Sequence, residues 1–306
     1  MAEKTTQADT NAYVERVNRA IDFVIRNLDQ PLQLDSVADE AGFSPFHFHR
    51  VFRSLVGETL NEFIKRLRLE RALGMMSHAG KRSLTDIAFA CGFGSSSDFS
   101  RAFKKRYGVP PSAFDVNVFR ASRREEWQAV VAGADRRHLL DGLPAGENPD
   151  AFEARIRDLP ARTVAYIRVP DSYSSLDAVI SANDRLLEWA EARGLADGQW
   201  LGYMWDDPEI VDPKLCRYDV AVEVPQFEPE GEIGRYDFPP MRVAEVEIRG
   251  GIDLEMRALD WIFKTWLPAS EHVPAAHPCF EAWIGRPFAH GFEHFELHAH
   301  IPIERA

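Results

Sequence analysis

Two sets of side chains in this sequence are spaced for chemistry. In the stretch "CFEAWIG", Glu281 and Trp283 stand two residues apart. On a strand, alternation sends them to one side and Phe280, Ala282 and Ile284 to the other. A carboxylate beside an indole suits a cation, because the charge attracts it and the ring face adds a cation-π contact. The second set lies far upstream, where Arg50 and Arg101 occupy matching places in two similar segments. Guanidinium groups presented from a helix can read guanine edges or hold phosphates.

The elements that carry the arginines form an internal repeat. "VADEAGFSPFHFHRVFRSLVGETLNEF" from Val37 is restated, with one inserted residue, as "IAFACGFGSSSDFSRAFKKRYGVPPSAF" from Ile87. Val37, Ala38, Ala41, Gly42 and Phe43 align with Ile87, Ala88, Cys91, Gly92 and Phe93, and Phe48, Arg50, Phe52, Gly57 and Phe63 with Phe99, Arg101, Phe103, Gly108 and Phe114. Each copy reads as a short amphipathic helix, a turn at glycine and a second helix opened by serine, the pattern of a helix-turn-helix. Ser44 is expected to cap its helix with Pro45 in the first turn. In the second helix of the first copy, Phe48, Val51, Phe52 and Leu55 form the expected buried stripe. Phe46, His49, Arg50 and Arg53 then face outward, and in the second copy Ser97, Ser100, Arg101 and Lys104 do the same, with Lys105 at the edge.

A basic outer face on a short helix is ordinarily only a solvated face. Its presentation twice, from helices of the right size for a major groove, favours DNA: residues near each N-terminus reach base edges while others grip phosphates. The base-reading candidates are Phe46, His49, Arg50, Ser96, Ser97, Ser100 and Arg101, and the phosphate candidates are Arg53, Arg66, Arg68, Lys104 and Lys105. Between the copies a helix is expected over about residues 59–77, with Phe63, Ile64, Leu67 and Met75 inward. A rigid spacer of that length, roughly 28 Å at 1.5 Å per residue, would let one chain enter two successive major grooves of double-stranded DNA.

Residues 11–115 resemble the DNA-binding domain of the AraC family of transcription regulators, on the strength of the tandem repeat and of "CGFGSSSDFSRAFKKRYGVPPSAF". Gln33 departs from that pattern, which often has a serine or threonine capping the first helix of the motif. Charge agrees with the resemblance. The chain of 306 residues has a formal net charge of −12, yet residues 41–110 hold 12 basic against 5 acidic side chains. The three cysteines, Cys91, Cys216 and Cys279, show no zinc-ribbon or disulfide spacing. The polar N-terminus and the lack of a long apolar run imply no membrane partner and a cytoplasmic protein.

Beyond a helical extension and linker over residues 121–150, a second and weaker repeat appears. "LPARTVAYIRVPDSYSSLDAVISANDRLLEWA" matches "FPPMRVAEVEIRGGIDLEMRALDWIFKTWL", and each is followed by a proline-bearing loop and strands, "CRYDVAVEV" and "CFEAWIG". The expected fold is therefore two domains: an all-α tandem helix-turn-helix over residues 1–120, and over 151–306 an α+β domain of duplicated strand-helix-strand-strand units. The repeat aligns Glu245 and Glu247 with Tyr166 and Arg168, and Trp205 and Trp261 are further aromatic candidates for a pocket wall. Core packing competes for Trp261, which shares a packed helix with Trp266. The ligand set read from the sequence is Glu281, Trp283, Tyr166, Glu245, Trp205 and Trp261. In "HFELHAH", His294, Glu296, His298 and His300 share a face, but the spacing matches no structural zinc site, and neither metal nor cofactor is assigned.

This half resembles the GyrI-like effector-binding domain, carried by "LPARTVAYIRV", "LGYMWDDPEIVDPKLCRYDVAVEVP", "LDWIFKTWLP", "HPCFEAWI" and "FELHAHIPIE". The resemblance implies a small-molecule sensor with its pocket between the two repeats and a carboxylate that meets cationic ligands, at the position of Glu281. Two functions follow. One is a transcription regulator whose effector, cationic or aromatic, alters engagement with DNA or RNA polymerase. The other is a hydrolase, since some GyrI-like domains use a glutamate in the same cleft and Glu281 could serve as a general base. A ligand-free domain for protein contacts is a third reading.

Overall fold

The computed structural model describes residues 7–78, 82–132, 142–174, 176–289, 291 and 294–305. The middle of the expected linker, residues 133–141, lies outside them. The chain divides into two compact units, Met1–Arg120 with Pro229–Gly234, and Ala121–Glu228 with Arg235–Ala306.

The first unit is helical. Helices α1 (Gln7–Arg26), α2 (Leu34–Glu40) and α3 (Pro45–Val56) are followed by α4 (Leu60–His78), α5 (Leu84–Ala90) and α6 (Ser96–Tyr107). The two triplets build matching cores. Phe48 and Phe52 are fully buried with ring centroids 5.2 Å apart, and Phe99 and Phe103 repeat the arrangement at 5.5 Å. Arginines of the two long helices also tie loops of the first triplet. Arg16 of α1 donates to the Ala41 carbonyl at 2.7 Å and also to that of Gly42, while Arg68 of α4 donates to the Leu28 and Gln30 carbonyls at 2.9 and 2.7 Å. Gly92 must be glycine: its φ is +80°, and a Cβ would stand 2.4 Å from the Leu28 carbonyl oxygen.

Local capping explains the helix starts. Ser83 and Asp86 form a reciprocal capping box at α5, whereas Gln33 at the same place before α2 makes no side-chain cap, as its identity implied. Ser44 occupies the cap of α3 without a side-chain bond, so Pro45 alone favours that start. Leu55 does not join the buried stripe and is 44 % exposed, in the last turn of α3 before Gly57.

The unit boundary falls within α7 (Val116–Ala132). The second unit contains β1 (Arg155–Leu159), β2 (Arg162–Pro170), α8 (Leu176–Glu191), β3 (Trp200–Met204), β4 (Arg217–Glu223), β5 (Gly234–Phe238), β6 (Met241–Gly250) and α9 (Ile252–Trp261). A π-turn over Ile262–Trp266, α10 (Leu267–Ala269), β7 (His272–Pro274), β8 (Cys279–Trp283) and β9 (Phe295–Arg305) complete it. The strands make one sheet in the order β1-β6-β9-β8-β3-β4-β2-β5, with β7 on β9. Its centre is two strand-helix-strand-strand repeats, β2-α8-β3-β4 and β6-α9-β8-β9, joined where β3 pairs β8. The strand of Cys216 is thus the last of its repeat and that of Cys279 the third element of the other, so the two are not equivalent as the sequence pattern suggested. Helix α8 rests on β2 and β4, and α9 on β6 and β9, which leaves β3 and β8 beneath the gap between the helices. Among the described residues, no helix is long and apolar enough to cross a membrane.

Candidate nucleic-acid interface and effector site

The N-terminal candidates separate into exposed and internally engaged groups. Phe46, His49, Arg50 and Arg53 all stand exposed on α3, and Phe46 is 76 % exposed despite being apolar. On α6, Ser97, Arg101, Lys104 and Lys105 are exposed, while Ser96 and Ser100 are half-buried. Arg101 makes a 3.6 Å ion pair with Asp98 on its own helix, and its side chain is 78 % exposed. Ser95, which the sequence reading passed over, caps α6 by accepting from the Asp98 amide at 3.1 Å. The two second helices therefore present the same polar face.

Two expected phosphate contacts are differently used. Arg66 bridges Glu58 at 2.5 Å and Glu70 at 3.0 Å, with its side chain 10 % exposed. Arg68 holds the backbone between α1 and α2, as described. Both sit on the inner side of α4, where an uncompensated guanidinium would be costly, and intrachain acceptors supply the compensation. The expectation that they grip DNA is corrected to a structural role.

In the second unit, the pairing register decides which candidates meet. Residues directly opposite in neighbouring strands share a face. The row Ile167, Val220, Gly202, Glu281, Ala299 and Val246 runs across β2, β4, β3, β8, β9 and β6 on the side of the helices. Glu281 thus lies on a central strand, under the gap between α8 and α9. Trp283, two residues on, joins it and hydrogen-bonds its carboxylate. Tyr218 of β4 donates its hydroxyl to Glu281 Oε2 at 2.5 Å. From above, Glu255 of α9 hydrogen-bonds Glu281. Gly202 makes room: a Cβ there would stand 1.8 Å from the Tyr218 hydroxyl and 2.5 Å from Glu281 Oε2.

Burial raises the proton affinity of both acids. It lifts Glu281 to about 7, against the opposing hydrogen bonds of Tyr218, Glu255 and Trp283. Glu255 is pushed well above the carboxylate range by burial and by the neighbouring Glu281 charge. The same surroundings hold Tyr218 protonated, since burial and the Glu281 carboxylate both oppose its ionisation.

Tyr166, Glu245 and Trp205 do not reach this site. Tyr166, Leu201 and Ala282 lie in the opposite row, on the face covered by Tyr236 and Phe238 of β5. There Tyr166 is a core residue, 1 % exposed. Trp205 donates its indole N–H to Asp219 Oδ2 at 2.5 Å, beside the buried pair of Arg168 and Asp219. Glu245 meets His300 at 3.1 Å, and burial lowers the pKa of that imidazole to about 4. Trp261 packs against Phe152 with ring centroids 5.9 Å apart and is 7 % exposed, which settles it in the core. These four were expected in one ligand set because alternation fixes sides along a strand but not between strands. Tyr218, Glu255 and Gly202 are the members that sequence reasoning missed. Among the described residues, no group of side chains is placed to hold a metal ion.

The chain thus joins a tandem helix-turn-helix to a sheet with a polar floor beneath the gap between two helices. Residues 37–116 match the family model of a helix-turn-helix domain, and residues 152–304 match that of the GyrI-like small molecule binding domain. The chain belongs to the AraC-type helix-turn-helix proteins and carries a GyrI-like domain. It is 33 % identical over 98 residues to the regulatory protein SoxS of Salmonella typhimurium, covering 32 % of this chain and 91 % of SoxS. Identity is 35 % over 103 residues to the transcriptional regulator Rob of the same organism, covering 34 % of this chain and 33 % of Rob. The HTH-type transcriptional regulator YbfP of Bacillus subtilis is 31 % identical over 144 residues, 47 % of each chain. The match thus spans about half the length of YbfP and a third of Rob.

Proposed function

We propose that this protein is a sequence-specific transcription regulator whose DNA binding is modulated by a small cationic or aromatic effector held at Glu281. The observation that supports it most is the doubled presentation of α3 and α6, each with an exposed polar and basic face over its own aromatic core. The two helices enter successive major grooves of double-stranded DNA. Phe46, His49 and Arg50 read one half-site, and Ser97, Ser100 and Arg101 the other. Arg53, Lys104 and Lys105 hold phosphates. The effector enters beneath the gap between α8 and α9, where Glu281 supplies charge and Trp283 and Tyr218 supply rings. The readout is a change in engagement with DNA or with RNA polymerase.

The test is selection of bound duplexes from a random pool by the full chain. Replacing Arg50 or Arg101 with Ala is expected to cost about 1–3 kcal/mol of specific binding and to relax preference only at that residue's half-site. Replacing Lys104 should weaken binding to all sequences and lower the salt slope. A selected motif unchanged by Arg50→Ala and Arg101→Ala would remove the two-groove reading.

The raised proton affinity of Glu281 favours a second reading, because a carboxylate titrating near neutrality is suited to general-base catalysis. Incubation with esters and ring-strained compounds separates the two: multiple turnovers support the hydrolase, and stoichiometric binding supports the sensor.

A further inference from the structure

Glu255 is the one acid of α9 turned down onto the sheet, and its position is unusual for a carboxylate. It is 4 % exposed, while Asp253 on the same helix pairs with Arg257 at 2.9 Å. The Glu255 carboxyl group hydrogen-bonds Glu281, and its Oε1 is buried with no N–H or O–H donor from the protein to it. Among the described residues no basic side chain pairs with either acid. The groups facing the two from neighbouring elements are Tyr218 of β4, Trp283 of β8 and Tyr173 ahead of α8. Asp206 and Asp207 act on Tyr173 from the loop after β3, Asp206 being paired with Arg217 at 2.8 Å. The facing positions of β3, β6 and β9 are Gly202, Val246 and Ala299, which carry none.

Two buried carboxyl groups in hydrogen-bond contact cannot both be ionised without a counterion, so one proton must lie between them. We propose that Glu255 and Glu281 form a proton-for-cation exchange site: the shared proton holds the empty site together, and a cation bearing N–H donors displaces it and bonds to both carboxylates. The exchange conserves charge, since one positive charge leaves as another enters. The unpartnered Oε1 of Glu255 sets the ligand class. It accepts from an ammonium, amidinium or guanidinium, whereas a quaternary ammonium has no N–H to offer. Trp283 suits a flat or aromatic cation. The inference rests on the effector reading of Glu281 and adds a second carboxyl, a ligand class and a proton.

The experiment is calorimetric titration of the full chain with benzamidine, benzyltrimethylammonium and the neutral benzamide, in buffers of different ionisation enthalpy near pH 7. Wild type is expected to release about one proton per benzamidine bound, and its affinity to fall about tenfold per pH unit on acidification. Benzyltrimethylammonium should bind at least about tenfold more weakly than benzamidine, for want of the hydrogen bonds to Glu255 and Glu281. Glu255→Gln should abolish most of the proton release near pH 7 and narrow the preference between the two cations, because Gln holds no proton to exchange. Near-zero proton release by wild type on binding benzamidine overturns the proposal, and that measurement needs no variant to fold. Proton release by Glu255→Gln equal to wild type overturns it as well. If binding survives Glu255→Gln with its cation preference intact but is lost in Glu281→Gln, the exchange fails while the effector site stands. If no cation binds wild type, both fail.

Discussion

Gly202→Ala perturbs the effector site through geometry alone. The added Cβ would stand 1.8 Å from the Tyr218 hydroxyl, 2.6 Å from its Cζ and 2.5 Å from Glu281 Oε2. No carbon–oxygen contact survives at such distances, so the phenol must swing away from the strand. That movement breaks the 2.5 Å bond from Tyr218 to Glu281. A hydrogen bond to a charged group contributes roughly 1.5–3 kcal/mol, and overpacking costs about 1–3 kcal/mol. Because one displacement causes both, the expected total is about 2–4 kcal/mol. For a domain of this size each kcal/mol moves the midpoint by about 2–4 °C. Differential scanning calorimetry should therefore show the transition of the GyrI-like unit lowered by roughly 5–15 °C, with duplex binding through α3 and α6 retained. A transition within about 2 °C of wild type would refute the placement of Tyr218 over Gly202 and with it the closed arrangement around Glu281.

Other consequences follow from the opposite face of the sheet and from the helical unit. Asp219→Ala leaves the Arg168 guanidinium buried without its 2.7 Å and 2.8 Å bonds and is expected to destabilise the domain by about 3–5 kcal/mol, measured by chemical denaturation. Gly92→Ala forces a side chain into left-handed backbone against the Leu28 carbonyl, so α4 and α5 should lose thermal stability and DNA affinity together, whereas Gly94→Ala, with open space around it, should change neither. His300 has its pKa lowered to about 4 from the usual 6.5, so the unfolded chain binds the extra proton first. Its contribution is lost as pH falls from 6.5 towards 4 and is full above that window. Glu281, raised to about 7, acts with the reverse sign, and its contribution fades as pH rises from the ordinary carboxylate value towards 7. Glu255, also raised by burial, acts with the same sign as Glu281, so melting temperatures should fall more steeply between pH 4 and 8 in His300→Gln than in wild type.

The helical unit was largely legible in the sequence because its information is local and stated twice. Phe48 with Phe52 and Phe99 with Phe103 follow helical spacing, and Gly42 and Gly92 mark turns that permit positive φ. Arg66 and Arg68 were misread because periodicity gives the direction of a side chain and not its partners: Glu58 and the Leu28 carbonyl are eight and forty residues away in sequence. In the sheet, alternation along β8 correctly placed Glu281 with Trp283. It could not show that β2 presents Ile167, rather than Tyr166, to the same side, since that depends on registers through β4 and β3. Glu255 escaped notice because an acid on a helix is ordinarily solvated. Its place on the inner side of α9, three residues before the buried Ala258, was the signal available.

The claim that an effector at Glu281 governs DNA engagement is tested most directly by footprinting on a selected duplex, with benzamidine titrated into wild type and Glu281→Gln. The expected result is a change in protection or in half-saturation concentration for wild type that follows benzamidine occupancy, and none for Glu281→Gln, with both proteins binding the duplex equally in its absence. Full occupancy of wild type by benzamidine with protection and affinity unchanged, or an identical response in Glu281→Gln, would contradict it.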